Sequence, residues 1–281
     1  MSPPALLVEQ LSEAYRRRNR LGWQQRGGEH WALRDVTFTV ERGEALGVIG
    51  GNGSGKTTLL QVLAGVLLPT RGTVTRHGRV ASLVDLSAGF HRDLTGHENL
   101  RIGGVLLGMS RRELRLRYDE VVAFTGLSSD ALDAPLSAYS AGMGLRLGFA
   151  LVVCSEPDVL LVDEVLAVGD ASFQHRGLER VAELQRGGCA VVLVSHDLEL
   201  IARSCEQVAV LDAGILTHLG TPADAIDRYR RSDADADADT GPDAEPVANV
   251  KLFGAGEGPV AEAKLFETSW RVQAARRRRG V

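Results

Sequence analysis

The chain contains the stretch Gly50-Gly51-Asn52-Gly53-Ser54-Gly55-Lys56-Thr57-Thr58, which fits the pattern G-x-x-x-x-G-K-[ST] of a phosphate-binding loop. Its glycines allow a tight turn that directs successive backbone N–H groups at one point. In this pattern the lysine, Lys56, supplies a positive charge to the β- and γ-phosphates of a nucleotide, and the Thr57 hydroxyl reaches Mg²⁺. The stretch therefore predicts a nucleotide-phosphate site.

The segments on either side of this loop have the patterns of a buried strand and a helix. Glu44 to Ile49 is an apolar run typical of a strand, and Thr57 to Leu67 has helical spacing. The N-terminus of that helix would face the phosphates. A glycine-rich turn with a chance lysine is the competing interpretation, and the order strand, loop, helix argues against it.

The composition limits the class of protein. The chain has 281 residues and 44% hydrophobic content, enough for one large domain and an appendage. Its formal net charge of −4 gives no overall basic field, so nucleic acid is not an expected partner. The three scattered cysteines predict reduced cytosolic thiols rather than disulfides or a metal site. No apolar run reaches the roughly 18–20 residues of a membrane span, so a membrane role is expected through a partner.

The remaining patterns predict an α/β core with a helical insertion. Asp158 to Val162 and Cys189 to Val194 are continuous apolar runs typical of central parallel strands. Residues 208–219 predict a hairpin turning at Asp212-Ala213-Gly214, and Pro69 to Gly78 is expected to be turn-rich. The block from about residue 87 to 155 reads as a helical subdomain.

Within that block, three helices are predicted. Gly96 to Leu107, Arg111 to Phe124 and Gly144 to Cys154 have helical spacing. Ser110, followed three residues later by Glu113, predicts a capping box at the start of the second helix.

Polar residues follow the predicted core strands. Asp163 ends one strand, where a carboxylate can hold the Mg²⁺ shell, and Glu164 beside it can polarise a water for attack on the γ-phosphorus. His196 follows the next strand, within expected reach of the γ-phosphate. A lone histidine is more often structural, but this placement favours function. We therefore expect Glu164, His196 and Lys56 to be catalytic.

Small residues precede the helix predicted to begin at Gly144. The stretch Tyr139-Ser140-Ala141-Gly142-Met143 exposes backbone N–H groups and the Ser140 hydroxyl, and Gly142 permits close approach of a ligand. Taken alone, it would be interpreted as an ordinary helix N-cap.

The composition shifts after Arg231. We predict a nucleotide-binding domain over residues 1–231, an acidic low-complexity linker over residues 232–249, and a short C-terminal extension over residues 250–281. The basic run Arg276 to Arg279 is more typical of a solvated terminus than of a lipid or nucleic-acid contact.

Taken together, these motifs resemble the nucleotide-binding subunit of ABC transporters over about Leu6 to Arg230. Residues 139–143 stand where that family has its Leu-Ser-Gly-Gly-Gln signature. Residues 167–170, with Asp170, resemble its D-loop, and His196 resembles its switch histidine. Tyr15 matches the aromatic residue that stacks on adenine, and Trp31 is a second candidate.

The resemblance implies a fold and a working cycle. The fold is a P-loop ATPase core with a mostly parallel sheet, an N-terminal antiparallel β subdomain and an inserted helical subdomain. Two copies would form a head-to-tail homodimer, with each ATP held between the phosphate loop of one copy and the signature stretch of the other. ATP binding would close the dimer, and hydrolysis assisted by Glu164 would reopen it.

One branch of the family is more similar in detail, namely exporters of lipid-linked polysaccharides of the O-antigen, teichoic-acid and galactan types. The similarity lies in Trp31 to Val36, Ser87 to Asn99, the Tyr-Ser-x-Gly-Met form of the signature and Val162 to Asp170. It implies a polytopic permease as partner, a lipid-linked glycan as cargo, and a peripheral location at the cytoplasmic face of the cytoplasmic membrane. The segment from Ser87 to Asn99 would contact the permease.

The chain departs from the usual ABC pattern at two points. An ungapped count places Leu86, with Asp85 beside it, where most members have a glutamine that touches Mg²⁺, so Asp85 or water would complete the metal shell. Some members of the branch carry a C-terminal carbohydrate-binding β-sandwich. The residues after Arg231 are too few for such a domain, which usually needs about a hundred.

Two alternatives stay open on the sequence. One is an ABC ATPase without a transport role that acts on ribosomes or DNA. Such proteins usually carry two ATPase modules or a long coiled coil, whereas this chain has one module and no sustained heptads. The other is a transporter subunit with a different cargo.

Overall fold

The structure of the protein, a computed structural model, describes residues 3–15, 30–84, 89–163 and 170–239. The chain divides into two units, Met1–Ser232 and Asp233–Val281. Asp85, Glu164 and the predicted extension over residues 250–281 lie outside the described residues. No helix within the described ranges is both long enough and apolar enough to cross a membrane.

A single mixed sheet organises the first unit. Its order is β4-β1-β2-β9-β8-β3-β7-β6-β5. The strands of the described residues are β1 Leu6–Tyr15, β2 His30–Val40, β3 Ala45–Ile49, β4 Arg71–Arg76, β5 Val80–Ser82, β6 Val159–Val162, β7 Ala190–Val194, β8 Gln207–Asp212 and β9 Ile215–Gly220.

The pairing confirms the predicted fold class. Strands β5, β6, β7, β3 and β8 pair in parallel, each with the next in that order, whereas β1 pairs antiparallel with both β2 and β4. Strands β8 and β9 form the predicted antiparallel hairpin. Strand β3 shows why the sheet is covered on both faces: Ala45 and Ile49 pack into one hydrophobic core, and Leu46 and Val48 pack into the other.

The helices flank this sheet. They are α1 Lys56–Ala64, α2 Gly96–Leu106, α3 Arg111–Thr125, α4 Ser129–Asp133, α5 Ala141–Cys154, α6 Ala171–Arg186, α7 Leu198–Ser204 and α8 Pro222–Asp239, with a 3₁₀ turn at Leu136–Ala138. Helices α2 to α5 pack on one another as a helical subdomain. The capping box at Ser110 and Glu113 is confirmed, and a second one joins Thr95 to Glu98 at the start of α2.

Three expectations are corrected by the structure. Pro69 to Gly78 is not simply a turn region, because Arg71–Arg76 forms edge strand β4, whose alternating threonines and valine pair with β1. Helix α5 begins at Ala141 rather than Gly144, because the Ser140 hydroxyl caps it. Helix α8 continues to Asp239, into the stretch expected to be a linker.

Candidate nucleotide-binding site

The phosphate loop connects the C-terminal end of β3 to α1. Gly55 is the N-cap of α1 and has a left-handed φ of 104°. A Cβ atom at this position would lie 2.5 Å from the carbonyl oxygen of Ala32, so glycine is required by both conformation and space. The loop thus places the N-terminus of α1 at the edge of the sheet, where its backbone N–H groups favour an anion.

Lys56 is held inside this loop. Only 8% of the residue is exposed, and its Nζ donates hydrogen bonds to the carbonyl oxygens of Gly50 at 2.7 Å and Gly51 at 2.9 Å. These contacts place the ammonium group at the centre of the turn formed by residues 50–55. A positive charge at that point is suited to phosphate oxygens that arrive at the α1 N-terminus.

Ser54 supplies an independent indication that the loop fits a phosphate. The residue is 4% exposed, and its Oγ has no hydrogen-bond partner within the described part of the chain. A buried hydroxyl without a partner is costly, so its presence calls for an explanation. A phosphate oxygen bound in the loop would satisfy it.

A cavity of about 570 Å³ opens above the loop. Its volume is in the range typical of small-molecule and cofactor sites. It is lined by Tyr15, His30, Trp31, Ala32, Asn52, Gly53, Ser54, Gly55, Lys56, Thr57, Thr58, Asp163, Val194, His196 and Ala213. The structure therefore brings together the predicted loop residues 52–58, Tyr15, Asp163 and His196.

Sheet order explains how residues distant in sequence meet here. Strand β7 lies between β3 and β6, with Val48 opposite Val194 and Val162 opposite Leu193. Because these strands are parallel, the phosphate loop, His196 and Asp163 all follow strand ends at the same edge. Two described residues of the cavity are suited to hold Mg²⁺, namely Thr57 through its hydroxyl and Asp163 through its carboxylate. A carboxylate oxygen is a preferred ligand of that ion.

The aromatic end of the cavity holds both adenine candidates. The Tyr15 hydroxyl lies 3.4 Å from Thr58 Oγ1, so the ring extends from β1 to the start of α1. Trp31 is backed by the Arg71 guanidinium, which lies 5.1 Å from its ring centroid. Both residues line the cavity, so both stay candidates for stacking on a planar base.

The signature stretch has a different setting. The Ser140 hydroxyl accepts a hydrogen bond from the Met143 N–H at 3.3 Å, and Tyr139 donates from its hydroxyl to the Ala131 carbonyl oxygen at 2.7 Å. Residues 139–143 do not line the cavity in the described part of this chain. Their action on ATP held by a second copy stays a prediction.

Asp170, the D-loop candidate, caps α6. Its Oδ1 accepts the Phe173 N–H at 2.8 Å and its Oδ2 accepts from Arg146 at 2.7 Å. The Phe173 N–H and the Arg146 guanidinium hold the pKa of Asp170 below its usual value. Arg146 was not predicted from the sequence, because nothing near Arg146 in sequence indicates a partner 24 residues away.

The β8–β9 hairpin is a further element that sequence reasoning missed. The Gly214 N–H donates to the Ser54 carbonyl oxygen at 3.0 Å, and Ala213 lines the cavity. The hairpin itself was predicted, but no sequence signal connects it with the phosphate loop.

Comparison with known proteins identifies the family. A family model described as ABC transporter matches residues 33–167. An O-antigen export system ATP-binding protein, RfbB, from Klebsiella pneumoniae is 41% identical over 207 residues, covering 74% of this chain and 84% of that protein. The chain belongs to the ABC transporter ATPase family. As an ABC ATPase domain it binds nucleotide, and the cavity described above is the candidate for that site.

Two further matches extend the comparison. An RfbB protein from Myxococcus xanthus is 42% identical over 207 residues, covering 74% of this ABC ATPase but only 47% of the relative, so this chain spans about half of that protein's length. A solved structure of an ATP-binding subunit of an ABC transporter has a TM-score of 0.66 at 26% identity, covering 82% of this chain and 93% of that one. The fold is therefore shared along nearly the whole of the solved subunit.

Proposed function

We propose that this ABC ATPase is the ATP-hydrolysing subunit of an exporter that moves a lipid-linked polysaccharide across the cytoplasmic membrane. The observation that carries the ATPase part is the convergence of Lys56, Thr57, Asp163 and His196 on one cavity. Beside them lies the buried Ser54 hydroxyl, which has no hydrogen-bond partner among the described residues. The polysaccharide cargo is supported by the names of the two curated relatives, both O-antigen export proteins.

The residues of the site have separate roles in the proposed reaction. Lys56 and the N–H groups at the start of α1 hold the phosphates, and the Tyr15 and Trp31 rings hold the base. His196, which follows β7, lines the cavity and would reach the γ-phosphate. Glu164, next to Asp163, orients and deprotonates the attacking water, which makes it the general base of the proposed reaction.

Mg²⁺ is the cofactor that this residue set fits. The Thr57 hydroxyl and the Asp163 carboxylate both line the cavity and would hold the ion, directly or through water. Asp85 is the proposed additional ligand. When bound, Mg²⁺ neutralises negative charge that develops on the phosphate oxygens during transfer.

We place the permease contact on the helical subdomain. Helix α2 exposes Ile102, Val105 and Leu106. A cavity of about 600 Å³ between α2 and α3 has three arginines and one carboxylate in its lining, so its charge is net positive; these residues are Arg101, Arg111, Arg115 and Asp119. An amphipathic cytoplasmic segment of the permease with acidic side chains would satisfy both the apolar face and the positive charge. The segment predicted to contact the permease ends at Asn99, which lies in the first turn of α2. The Asn99 side chain is fully buried and donates hydrogen bonds to the His91, Leu94 and Thr95 carbonyl oxygens, which ties the described part of the segment to α2.

The cycle then runs through a homodimer at the cytoplasmic face of the membrane. Each copy contributes its phosphate loop to one ATP and its residues 139–143 to the other. Closure of the two copies on ATP would pull the attached permease subunits through one transport step, and hydrolysis would release them.

Depletion of the protein in its host tests the cargo. We expect lipid-linked glycan to accumulate on the inner side of the cytoplasmic membrane while the surface polymer disappears. Complementation with wild type should restore export, and Glu164→Gln should not, although it should trap an ATP-bound dimer. A normal glycan distribution in depleted cells would refute the cargo, and wild-type hydrolysis by Glu164→Gln would refute the assigned base.

A further inference from the structure

A polar network fixes the end of β1, the strand that carries Tyr15. Glu13, which is 8% exposed, accepts hydrogen bonds from the Thr70 N–H at 2.8 Å and from the Thr70 hydroxyl at 2.9 Å. The same hydroxyl oxygen accepts the Ala14 N–H at 3.1 Å, which bonds the end of β1 to the turn before β4. Buried polar groups that satisfy one another in this way are costly to separate, because each would be left without a partner. Tyr15 therefore lines the nucleotide cavity from a fixed strand end.

Arg71, the first residue of β4, supports the second aromatic residue of this end. Its guanidinium carbon lies 5.1 Å from the ring centroid of Trp31, a cation–π contact on one face of the indole. Thr70 and Arg71 are adjacent in sequence, so one corner of the chain holds both the strand end at Tyr15 and the Trp31 ring. The aromatic end of the cavity is therefore formed before a ligand arrives.

His30 lies directly opposite Tyr15 in the antiparallel pair of β1 and β2. Residues directly opposite in such a pair share a face of the sheet, with Cβ atoms about 4.5–5.5 Å apart. His30 is exposed and lines the same cavity as Tyr15 and Trp31. Its imidazole has no hydrogen bond or ion pair with any other described residue. An imidazole thus stands beside the two rings proposed to hold the base.

Hydrogen bonding to a base at this end of the cavity falls to His30. The indole N–H of Trp31 can only donate, and the Tyr15 hydroxyl already lies 3.4 Å from Thr58 Oγ1. A neutral imidazole has one donor and one acceptor nitrogen. Adenine presents a complementary edge, with its 6-amino group as donor and N7 as acceptor. Of the three residues, His30 can accept a hydrogen bond from adenine without giving up a recorded contact.

We propose that His30 is a specificity-determining residue whose imidazole accepts a hydrogen bond from the 6-amino group of adenine. The inference rests on the proposed function, in which the phosphate loop holds the phosphates of ATP and the aromatic end of the cavity holds the base. Stacking on Tyr15 or Trp31 discriminates little between bases, because every base has a π face. The His30 contact supplies the discrimination that stacking lacks, and it favours ATP over a purine nucleotide without the amino group.

The test compares two nucleotides that differ only in that group. ATP and purine riboside 5′-triphosphate, which has hydrogen in place of the 6-amino group, are titrated into the full-length chain by calorimetry, with EDTA present to prevent hydrolysis. Wild type should bind ATP about fivefold more tightly, which is the factor that one ordinary hydrogen bond supplies. His30→Ala should bind the two nucleotides equally. His30→Gln, whose amide oxygen can accept the same hydrogen bond, should keep part of the preference.

Two control variants separate this contact from stacking and from a general effect of losing a histidine. Tyr15→Leu should weaken the binding of both nucleotides by the same factor and keep the fivefold preference, because stacking does not depend on the amino group. His175→Ala removes an exposed histidine of α6 that is not among the residues lining the cavity. It should bind both nucleotides as wild type does.

Each outcome bears on the His30 contact or on the proposed function. A wild-type preference that survives in His30→Ala would overturn the contact, as would equal binding of the two nucleotides by wild type. If His30→Ala does not fold, as judged by its thermal unfolding midpoint, His30→Phe decides the matter, since it keeps a ring and lacks the acceptor nitrogen. ATP binding that requires Lys56 but shows no preference would remove the inference and leave the proposed function standing. Absence of ATP binding by wild type would remove both.

Discussion

The Tyr139 hydroxyl donates a hydrogen bond to the Ala131 carbonyl oxygen at 2.7 Å and lies where a Cβ atom on Gly96 would be only 2.2 Å away. The tyrosine that begins the signature stretch is thus fixed against α4 and the start of α2. Burial also raises the pKa of its phenol. Tyr139 therefore holds the chain at the start of α5, and the proposed contact with a second copy would fall to Ser140 to Met143.

Tyr139→Phe should destabilise the protein without abolishing nucleotide binding. The change leaves the Ala131 carbonyl without this partner and should cost about 1 kcal/mol of the free energy of unfolding. Urea unfolding of the two proteins measures it. An unchanged urea midpoint would show that water replaces the hydroxyl as the partner of the Ala131 carbonyl. A loss of affinity for ATP would show that Tyr139 contributes to the nucleotide site of its own chain.

Two glycines of the phosphate loop should differ in how much stability is lost when each is replaced by alanine. Gly55→Ala forces a side chain into a left-handed conformation and against the Ala32 carbonyl, so we expect a loss of about 2 kcal/mol in unfolding free energy. Gly51→Ala meets no atom within 4 Å and should stay within about 0.5 kcal/mol of wild type. The measurement is the thermal unfolding of the two variants without nucleotide. Similar losses of stability in Gly55→Ala and Gly51→Ala would contradict the prediction.

Lys56→Ala should remove the stabilisation that ATP confers. A ligand at a hundred times its dissociation constant stabilises the folded state by about 2.7 kcal/mol, which raises the unfolding midpoint by several degrees. Without the ammonium group the loop loses its central charge and its two bonds to the Gly50 and Gly51 carbonyls. The measurement is the ATP-dependent shift in midpoint, with the exposed Arg112→Ala as control. A shift that survives in Lys56→Ala would place the nucleotide elsewhere.

The three cysteines should be unreactive in the folded protein. Burial raises the pKa of Cys154, Cys189 and Cys205 to about 12 each, so at pH 8 the thiols stay protonated, and the reactive thiolate is nearly absent. Labelling with iodoacetamide should be slow in buffer and should reach three thiols per chain in denaturant. Fast labelling of the native protein would mean that one of these sites opens readily.

Sequence patterns predicted those parts of the fold that local chemistry dictates. The apolar runs before Asp163 and His196 indicated central strands, and the strand–loop–helix order around Lys56 indicated the phosphate loop. Strand β4 was not predicted, because an edge strand such as Arg71–Arg76 has little apolar periodicity and is stabilised by its pairing with β1. The start of α5 was predicted at Gly144, because residues 139–143 were interpreted as a stretch before the helix, whereas the Ser140 hydroxyl caps a helix that already begins at Ala141.

The site residues also divide into those that local motifs predict and those that only contacts between distant parts of the chain bring together. Motifs indicated Lys56, Thr57, Asp163 and His196, and the cavity contains all four. Long-range contacts were beyond reach, since neither Arg146 with Asp170 nor Gly214 with Ser54 is marked by any local pattern. Glu164 and Asp85 lie outside the described residues, so their roles stay predictions.

The contact between the phosphate loop and the β8–β9 hairpin determines when, during synthesis of the protein, the loop can take up its final conformation. The Ser54 carbonyl bonds to Gly214, and the Gly50 backbone passes so close to Leu211 that a Cβ atom would fall 2.1 Å from its carbonyl oxygen. More than half the chain length separates these partners, so a ribosome releases the loop long before the hairpin that supports it. A nascent chain should therefore capture nucleotide only after the hairpin has left the exit tunnel, which delays ATP binding until the core sheet is nearly complete.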